Sequence, residues 1–238
     1  GSEASDVPLW RFFAERYCCA DHLEHQLFPA SAAGTRFVAA RVAPRTPAVS
    51  AAGGECAIIE ESDLFRIMAL YDDTTVHTSM EAPEDYFHLM QGETVDITPF
   101  CDMVVESDKP IFIGQFMRGQ GTTGIPIDLP GGDPSFILVP PIEQWRDYYV
   151  FLTPDKYAFD FITVAAPSGA DVQLDYRPLS DFSCIRRPAA CSTRVDPGAL
   201  YDIYHCQLSF PVIHPDRPAG QNVDPGSQND GYHVLRAD

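Results

Sequence analysis

The sequence predicts an all-β protein: two tandem, related antiparallel β-sandwich-like units, preceded by one short N-terminal helix. Three observations predict it. Short runs of β-branched and aromatic residues, each closed by turn formers, recur from residue 35 onward. Twenty-one prolines and 16 glycines are scattered through the 238 residues and interrupt long helices. Two stretches of the first half reappear, in the same order, in the second.

The elements follow in chain order. Gly1-Ser2 reads as an expression scar, so the natural start is expected elsewhere. Over residues 8–28, Trp10, Phe13, Tyr17, Leu23 and Leu27 fall at loosely helical spacing, with no interior proline or glycine before Pro29, which predicts one helix within 9–26. Strands are then expected at Thr35–Val42, Leu64–Tyr71, Thr75–Ser79, Tyr86–Met90, Thr94–Ile97, Met103–Glu106 and Ile111–Met117. The second half repeats the idiom at Ser135–Val139, Tyr148–Leu152, Tyr157–Ala165, Val172–Tyr176, Leu200–Leu208 and Gly231–Arg236. Asp72-Asp73 and Pro167-Ser168-Gly169 are turn signals between neighbouring strands.

The self-similarity organises the chain. Residues 65–76 can be laid on 161–172 without a gap, 96 positions apart, each reading as a hairpin-like strand, turn and strand. Residues 103–108 (MVVESD) resemble 233–238 (HVLRAD), 130 positions apart, so the second copy carries 34 extra residues, which fit the Cys/Pro/Gly-rich stretch 178–231. The expected division is an N-terminal segment 1–34, a first repeat 35–118, a flexible connector 119–134 and a second repeat 135–238. After Asp108 comes the apolar strand Ile111–Met117; after Asp238 its counterpart is missing. The second copy is therefore expected to be truncated, with an open edge or a borrowed strand.

Composition bounds the function. With 45% hydrophobic and 21% charged residues the chain can bury a core. Thirty-four acidic against 16 basic residues give a formal charge of −18, which argues against nucleic acid or an anionic bilayer as partner. No apolar run approaches the ~18 residues of a membrane span, so membrane insertion is not expected.

Seven cysteines are candidates for disulfides: Cys18, Cys19, Cys56, Cys101, Cys184, Cys191 and Cys206. None has Cys-x-x-Cys spacing, which leaves zinc and redox readings weak. Cys184 and Cys191 bracket a short loop that a local disulfide could close, in keeping with an exported protein. The odd count leaves one thiol unpaired or paired outside the chain.

No motif supplies a catalytic centre. Gly119-Gln-Gly121-Thr-Thr-Gly124 matches G-x-G-x-x-G, but Pro126 and Pro130 forbid the helix a dinucleotide needs. His22 and His25 would share a helix face beside Asp21 and Glu24, yet no third ligand is identifiable, so a solvated face is expected and no metal. The oxygen-rich stretch 222–231 could hold calcium, but Pro225 interrupts it and its spacing is not that of an EF-hand; it reads as a surface loop. Acidic pairs such as Glu60-Glu61 and Asp72-Asp73 read as solvated charges. No nucleophile elbow, Walker loop or kinase signature occurs, and no cofactor is implied.

The stretch 16–29, with Arg16-Tyr-Cys-Cys-Ala-Asp-His-Leu-Glu24 followed by Gln26-Leu-Phe-Pro29, resembles the opening of the IgGFc-binding protein N-terminal domain, as found in bacterial, notably myxobacterial-type, surface proteins. Residues 105–115 (VESDKPIFIGQ), 132–141 (GDPSFILVPP), 148–154 (YYVFLTP) and 157–164 carry the same resemblance, which spans roughly 16–238. The resemblance implies a secreted or cell-surface β-rich module with no catalytic residues. It assigns structural roles to Gly132 and Pro134 in turns, to Tyr148, Phe151 and Tyr157 in the core, and to Cys18 and Cys19 in disulfides.

The expected function is a non-enzymatic adhesion or binding module, secreted or at the cell surface, presenting loops 119–132, 178–198 and 214–231 to a protein or glycan. The alternatives are a surface-assembly protein that self-associates through an open sheet edge by strand addition, and a hydrolase on a β-scaffold, which would need a cleft holding a histidine and a carboxylate.

Overall fold

Alternation of side chains sets the architecture. In Leu64–Ala69 the buried residues are Phe65, Ile67 and Ala69, the period of two that gives a strand one dry face. The computed structural model describes residues 23–24, 26–155, 157–191 and 200–237. Most of the expected N-terminal helix, with Cys18 and Cys19, lies outside the described residues.

Seven strands form the first half: β1 (Gly34–Ala39), β2 (Leu64–Ala69), β3 (Thr74–Thr78), β4 (Tyr86–Leu89), β5 (Thr94–Ile97), β6 (Met103–Met117) and β7 (Ser135–Leu138). The two strands expected at Met103–Glu106 and Ile111–Met117 are one continuous strand, β6. Its first part lies between β1 and β3; its second part lies between β2 and β7. The change of partners falls at Asp108-Lys109-Pro110, where proline's missing N–H interrupts no ladder. Asp108 Oδ1 accepts from Thr75 N at 2.8 Å, and Lys109 Nζ donates to the carbonyls of Asp72 and Asp73 at 2.6 and 2.9 Å. Phe37, Phe65, Ile67, Val76, Ile97, Met103, Val105, Ile111 and Ile113 fill the core enclosed between the two parts. Gly114 of β6 is required by its neighbour: a Cβ there would lie 2.7 Å from the Phe136 ring, which stacks on Phe116 at 4.4 Å.

The second half holds β8 (Tyr148–Thr153), β9 (Phe161–Pro167), β10 (Val172–Leu174), β11 (Arg177–Pro178), β12 (Ser183–Pro188), β13 (Tyr201–Gln207), β14 (Phe210–Ile213), β15 (Val223–Ser227) and β16 (Gly231–Ala237). One sheet runs β11-β10-β16-β8 and a second runs β12-β13-β9. Between them lie Val164, Ala166, Val172, Leu174, Leu179, Cys206 and Leu208, with Phe151 and Leu235 packed alongside. All-β is borne out. Neither of the two similar segments is a hairpin, however. β2 and β3 do not pair with each other but lie on either side of β6, and β9 and β10 lie in two different sheets. Polar turn residues serve both kinds of connection, so turn chemistry alone does not distinguish them.

The halves interlock. Ser135–Leu138, expected to open the second repeat, pairs with β6 instead. The stretch 119–134, expected to be a flexible connector, is tied down. Buried Gln120 donates to the Leu129 carbonyl at 2.9 Å and accepts from Gly131 N at 3.2 Å. Ile125 and Leu129 pack with Val49 and Ile213, which joins this segment to the β14–β15 hairpin and to helix α1 (Thr46–Ala51). That helix went unread in the sequence, although Pro47 at its start is its usual signal. Glu61, expected to be a solvated charge, is buried at its N-terminus. Its Oε1 accepts from the backbone N–H of Arg45 and Thr46 at 2.7 Å each, and its Oε2 takes Arg45 Nε at 3.0 Å. Arg45 Nη1 donates onward to the Gly131 carbonyl at 2.8 Å.

Adjacent glutamates should therefore behave differently on substitution. Glu61→Ala strands a buried guanidinium and two amides and should lower the unfolding free energy by about 3–5 kcal/mol, as read by urea denaturation. Glu60→Ala, whose side chain is 63% exposed beside Arg41, should change it by less than about 1 kcal/mol. Equal effects would contradict this account of the helix start.

Candidate binding surfaces

The outer face of the β11-β10-β16-β8 sheet carries large apolar side chains in water. Strand alternation puts Tyr148, Val150 and Leu152 of β8 on this face, with Tyr232, Val234 and Arg236 directly opposite on β16. Val150 is 58% exposed and Tyr232 82% exposed. Tyr176, in the turn between β10 and β11, lies under the Arg236 guanidinium at 5.6 Å. In the first half the same kind of face is covered. Val38 and Val104 face each other across β1 and β6, as Val150 and Val234 do across β8 and β16. Val38 is only 4% exposed, packed with Ile203, Ala189, Trp145 and Tyr201 of the second half. Tyr148 and Tyr157, expected in the core through the family resemblance, are exposed, whereas Phe151 does pack on the core.

A second surface is a groove along β9. This strand pairs with β13 on one side and, among the described residues, with no strand on the other. The bonds from Leu208 N to Asp160 O and from Ser168 N to Leu200 O set the alternation, so Phe161, Thr163 and Ala165 turn their N–H and C=O groups away from β13. Beside this edge opens a cavity of about 490 Å³. Ile162, Val164, Ala166, Val172, Leu235 and Ala237 bring the second core to its wall; Ile137 and Val139 close it from the first half. Gln115, also on the wall, donates to Asp63 Oδ2 at 2.7 Å. Burial pushes the Asp63 carboxyl up, against the bonds from Val42 and Gln115 and the nearby Arg45 and Arg41. The groove lining contains no histidine.

Two buried histidines serve the fold. His233 is 2% exposed; its Nδ1 donates to Asp175 Oδ2 at 2.8 Å and its Nε2 lies 2.9 Å from both Thr153 Oγ1 and the Asn229 carbonyl. The order Thr–His–Asp suggests hydrolytic chemistry, but Thr153 is buried too and donates its own proton to Asn229 O. No substrate can reach it, and the trio fastens β8 and β16 to the β10–β11 turn. At the junction of the halves, His205 Nε2 donates to the Arg41 carbonyl at 3.0 Å. The Arg41 amide donates to Asp102 Oδ1 at 2.9 Å. Burial pushes His205 below its ordinary value, opposed by Asp102 and aided by Arg41 and Arg187.

The structure redistributes the candidate cysteines. Cys184 pairs with Cys206, not with Cys191, because the two face each other across β12 and β13. Cys191 bridges to Cys101, tying the two halves together. Cys56 is free, its thiol pushed up by burial and then by Glu61. Of the possible metal residues, His22 and His25 lie outside the described residues. The stretch 222–231, expected to be a surface loop, includes strand β15. Asn222 donates to the Asp128 carbonyl at 2.8 Å, and Asp224 is held by His214 and Arg217 at 2.8 and 2.9 Å. Those contacts hold Asp224 well below the usual carboxylate range. No group of three or more metal-binding side chains occurs among the described residues. Gly119–Gly124 leads into a single 3-10 turn and no helix. Among the described residues no helix is long and apolar enough to cross a membrane.

Residues 6–224 match the family described as IgGFc binding protein, and the chain belongs to that family. The family resemblance read from the sequence is thereby borne out over residues 6–224 rather than 16–238. No curated protein and no solved structure matches the chain.

The disulfides and the buried histidine each generate a measurement. A non-reducing peptide map should recover Cys101 joined to Cys191 and Cys184 joined to Cys206; a Cys184–Cys191 peptide would contradict the β12–β13 register. In the unfolded chain His205 takes up a proton near pH 6.5, while the buried ring stays neutral to lower pH. Its contribution to stability is full above that pH and is lost as pH falls. Relative to His205→Gln, the parent should lose at most about 1.4 kcal/mol per pH unit below 6.5, measured by urea denaturation. Parallel pH profiles would exclude a role for this ring.

Proposed function

We propose that this member of the IgGFc binding protein family is an exported, non-enzymatic module that grips a protein partner with the outer face of β8 and β16. Family membership supports a binding role. The two disulfides among the described residues support an oxidising compartment, where such bonds persist.

The observation that carries the reading is the exposed cluster Tyr148, Val150, Leu152 and Tyr232, with Arg236 stacked on Tyr176. Contiguous apolar patches on soluble proteins mark interaction sites, and tyrosine and arginine dominate interface energetics. The equivalent first-half face around Val38 is already used for docking inside the molecule. The loops expected to present a ligand site are less suited: 119–132 is pinned by Gln120 and Arg45, and part of 214–231 is strand β15.

The family's name makes an immunoglobulin Fc fragment the first protein to present, beside an array of other proteins and glycans. Val150→Glu with Tyr232→Glu should weaken retention of the protein ligand at least about tenfold while leaving the unfolding transition in place. Undiminished retention, or capture of glycans alone, would refute the assignment to this face.

A further inference from the structure

We infer that the groove beside β9 is the seat of one more strand, the second-half counterpart of Ile111–Met117, supplied by polypeptide that continues directly from β16. The inference is independent of which partner the outer face takes.

The pairing pattern carries it. In the first half β4, β3, the start of β6 and β1 lie side by side; in the second half β11, β10, β16 and β8 lie in the same order. The registers agree as well. Val76, His77 and Thr78 pair with Ser107, Glu106 and Val105; Val172, Gln173 and Leu174 pair with Ala237, Arg236 and Leu235. Every β16 partner thus lies 130 positions after its β6 equivalent, the spacing that relates residues 103–108 to 233–238. The neighbours of β2 and β9 correspond only in part. β2 lies between β5 and the second part of β6, whereas β9 has β13 on one side and the groove on the other.

The groove has the chemistry that the second part of β6 satisfies in the first half. There Ile111 and Ile113 are fully buried against Phe65, Ile67 and Ala69. In the groove, Ile162, Val164 and Ala166 present the equivalent wall with no strand across it among the described residues. The outward-turned amides of Phe161, Thr163 and Ala165 offer a ladder. Leu235, Arg236 and Ala237, the last turn of pleat in β16, line the mouth. A strand leaving β16 through a bend like Asp108-Lys109-Pro110 would run antiparallel to β9, as β6 runs antiparallel to β2. The occupant is therefore an extended segment with aliphatic residues at alternate positions facing inward.

The chain itself provides the probe. A second copy of the nine residues Lys109–Met117, fused after Asp238, should slow amide hydrogen exchange at Thr163 and Ala165 at least tenfold and raise the melting temperature. The comparisons are the unextended chain and a fusion whose Ile111 and Ile113 equivalents are replaced by proline. Unchanged exchange at Thr163 and Ala165, or equal protection from the proline-bearing fusion, would overturn the inference. So would slow exchange of both amides in the unextended chain, which would mean that the edge is already paired. Equal protection by the free nonapeptide at equimolar concentration would place the strand on a separate molecule and overturn its assignment to β16, because tethering raises effective concentration to the millimolar range.

Discussion

A single strand has to serve two sets of partners. β6 hydrogen-bonds to β1 and β3 before its bend and to β2 and β7 after it. A strand can do this only if the ladder is interrupted where the partners change, and Asp108, Lys109 and Pro110 fall outside all four of its registers, so a proline is tolerated there. Thr75 and the carbonyls of Asp72 and Asp73 then hold the bend from the neighbouring turn. The buried cluster of the first half follows from that geometry, because Met103 and Val105 before the bend meet the same core as Ile111 and Ile113 after it.

The second half obeys the same constraint with different means. Its β16 has neighbours on both sides, and a histidine, His233, stands where the first half has Met103. A polar ring in a core position is tolerable only when its nitrogens are satisfied, and Asp175, Thr153 and Asn229 do so. The long insertion strengthens the whole chain: β14 and β15 reach back to α1, and Cys191 reaches Cys101. The two halves are consequently joined by a hydrophobic contact around Val38, a buried polar contact around Arg41 and a covalent one.

Alternation made the strands of the first half readable nearly residue for residue, since Phe65-Ile67-Ala69 and similar sets bury one face. Within the insertion the same signal found β13 but missed its neighbours. β12 ends in Pro188, β14 contains Pro211 and β15 contains Pro225 and Gly226, residues that argue against strands unless the strand is short or at an edge. Cystine pairing was illegible for a related reason: Cys184 meets Cys206 through strand register, which sequence spacing does not reveal. The family resemblance places Tyr148 in the core, yet β8 is an edge strand among the described residues, with Tyr148, Val150 and Leu152 in water. The groove was not legible in the sequence, because its wall is assembled from β1, β6, β7, β8, β9, β10 and β16, which meet only in space.

The Cys101–Cys191 bond has a mechanical consequence. Its two ends are 90 residues apart in the chain, so tension applied at the termini bypasses most of the chain between them. At ~3.4 Å per extended residue, roughly 300 Å of contour cannot be paid out until that covalent link is cut. All of β6 through β11 would stay slack while β12, tied in by the Cys184–Cys206 bond, and the flanking segments bore the load, giving a molecule that stretches little before it either holds or tears free.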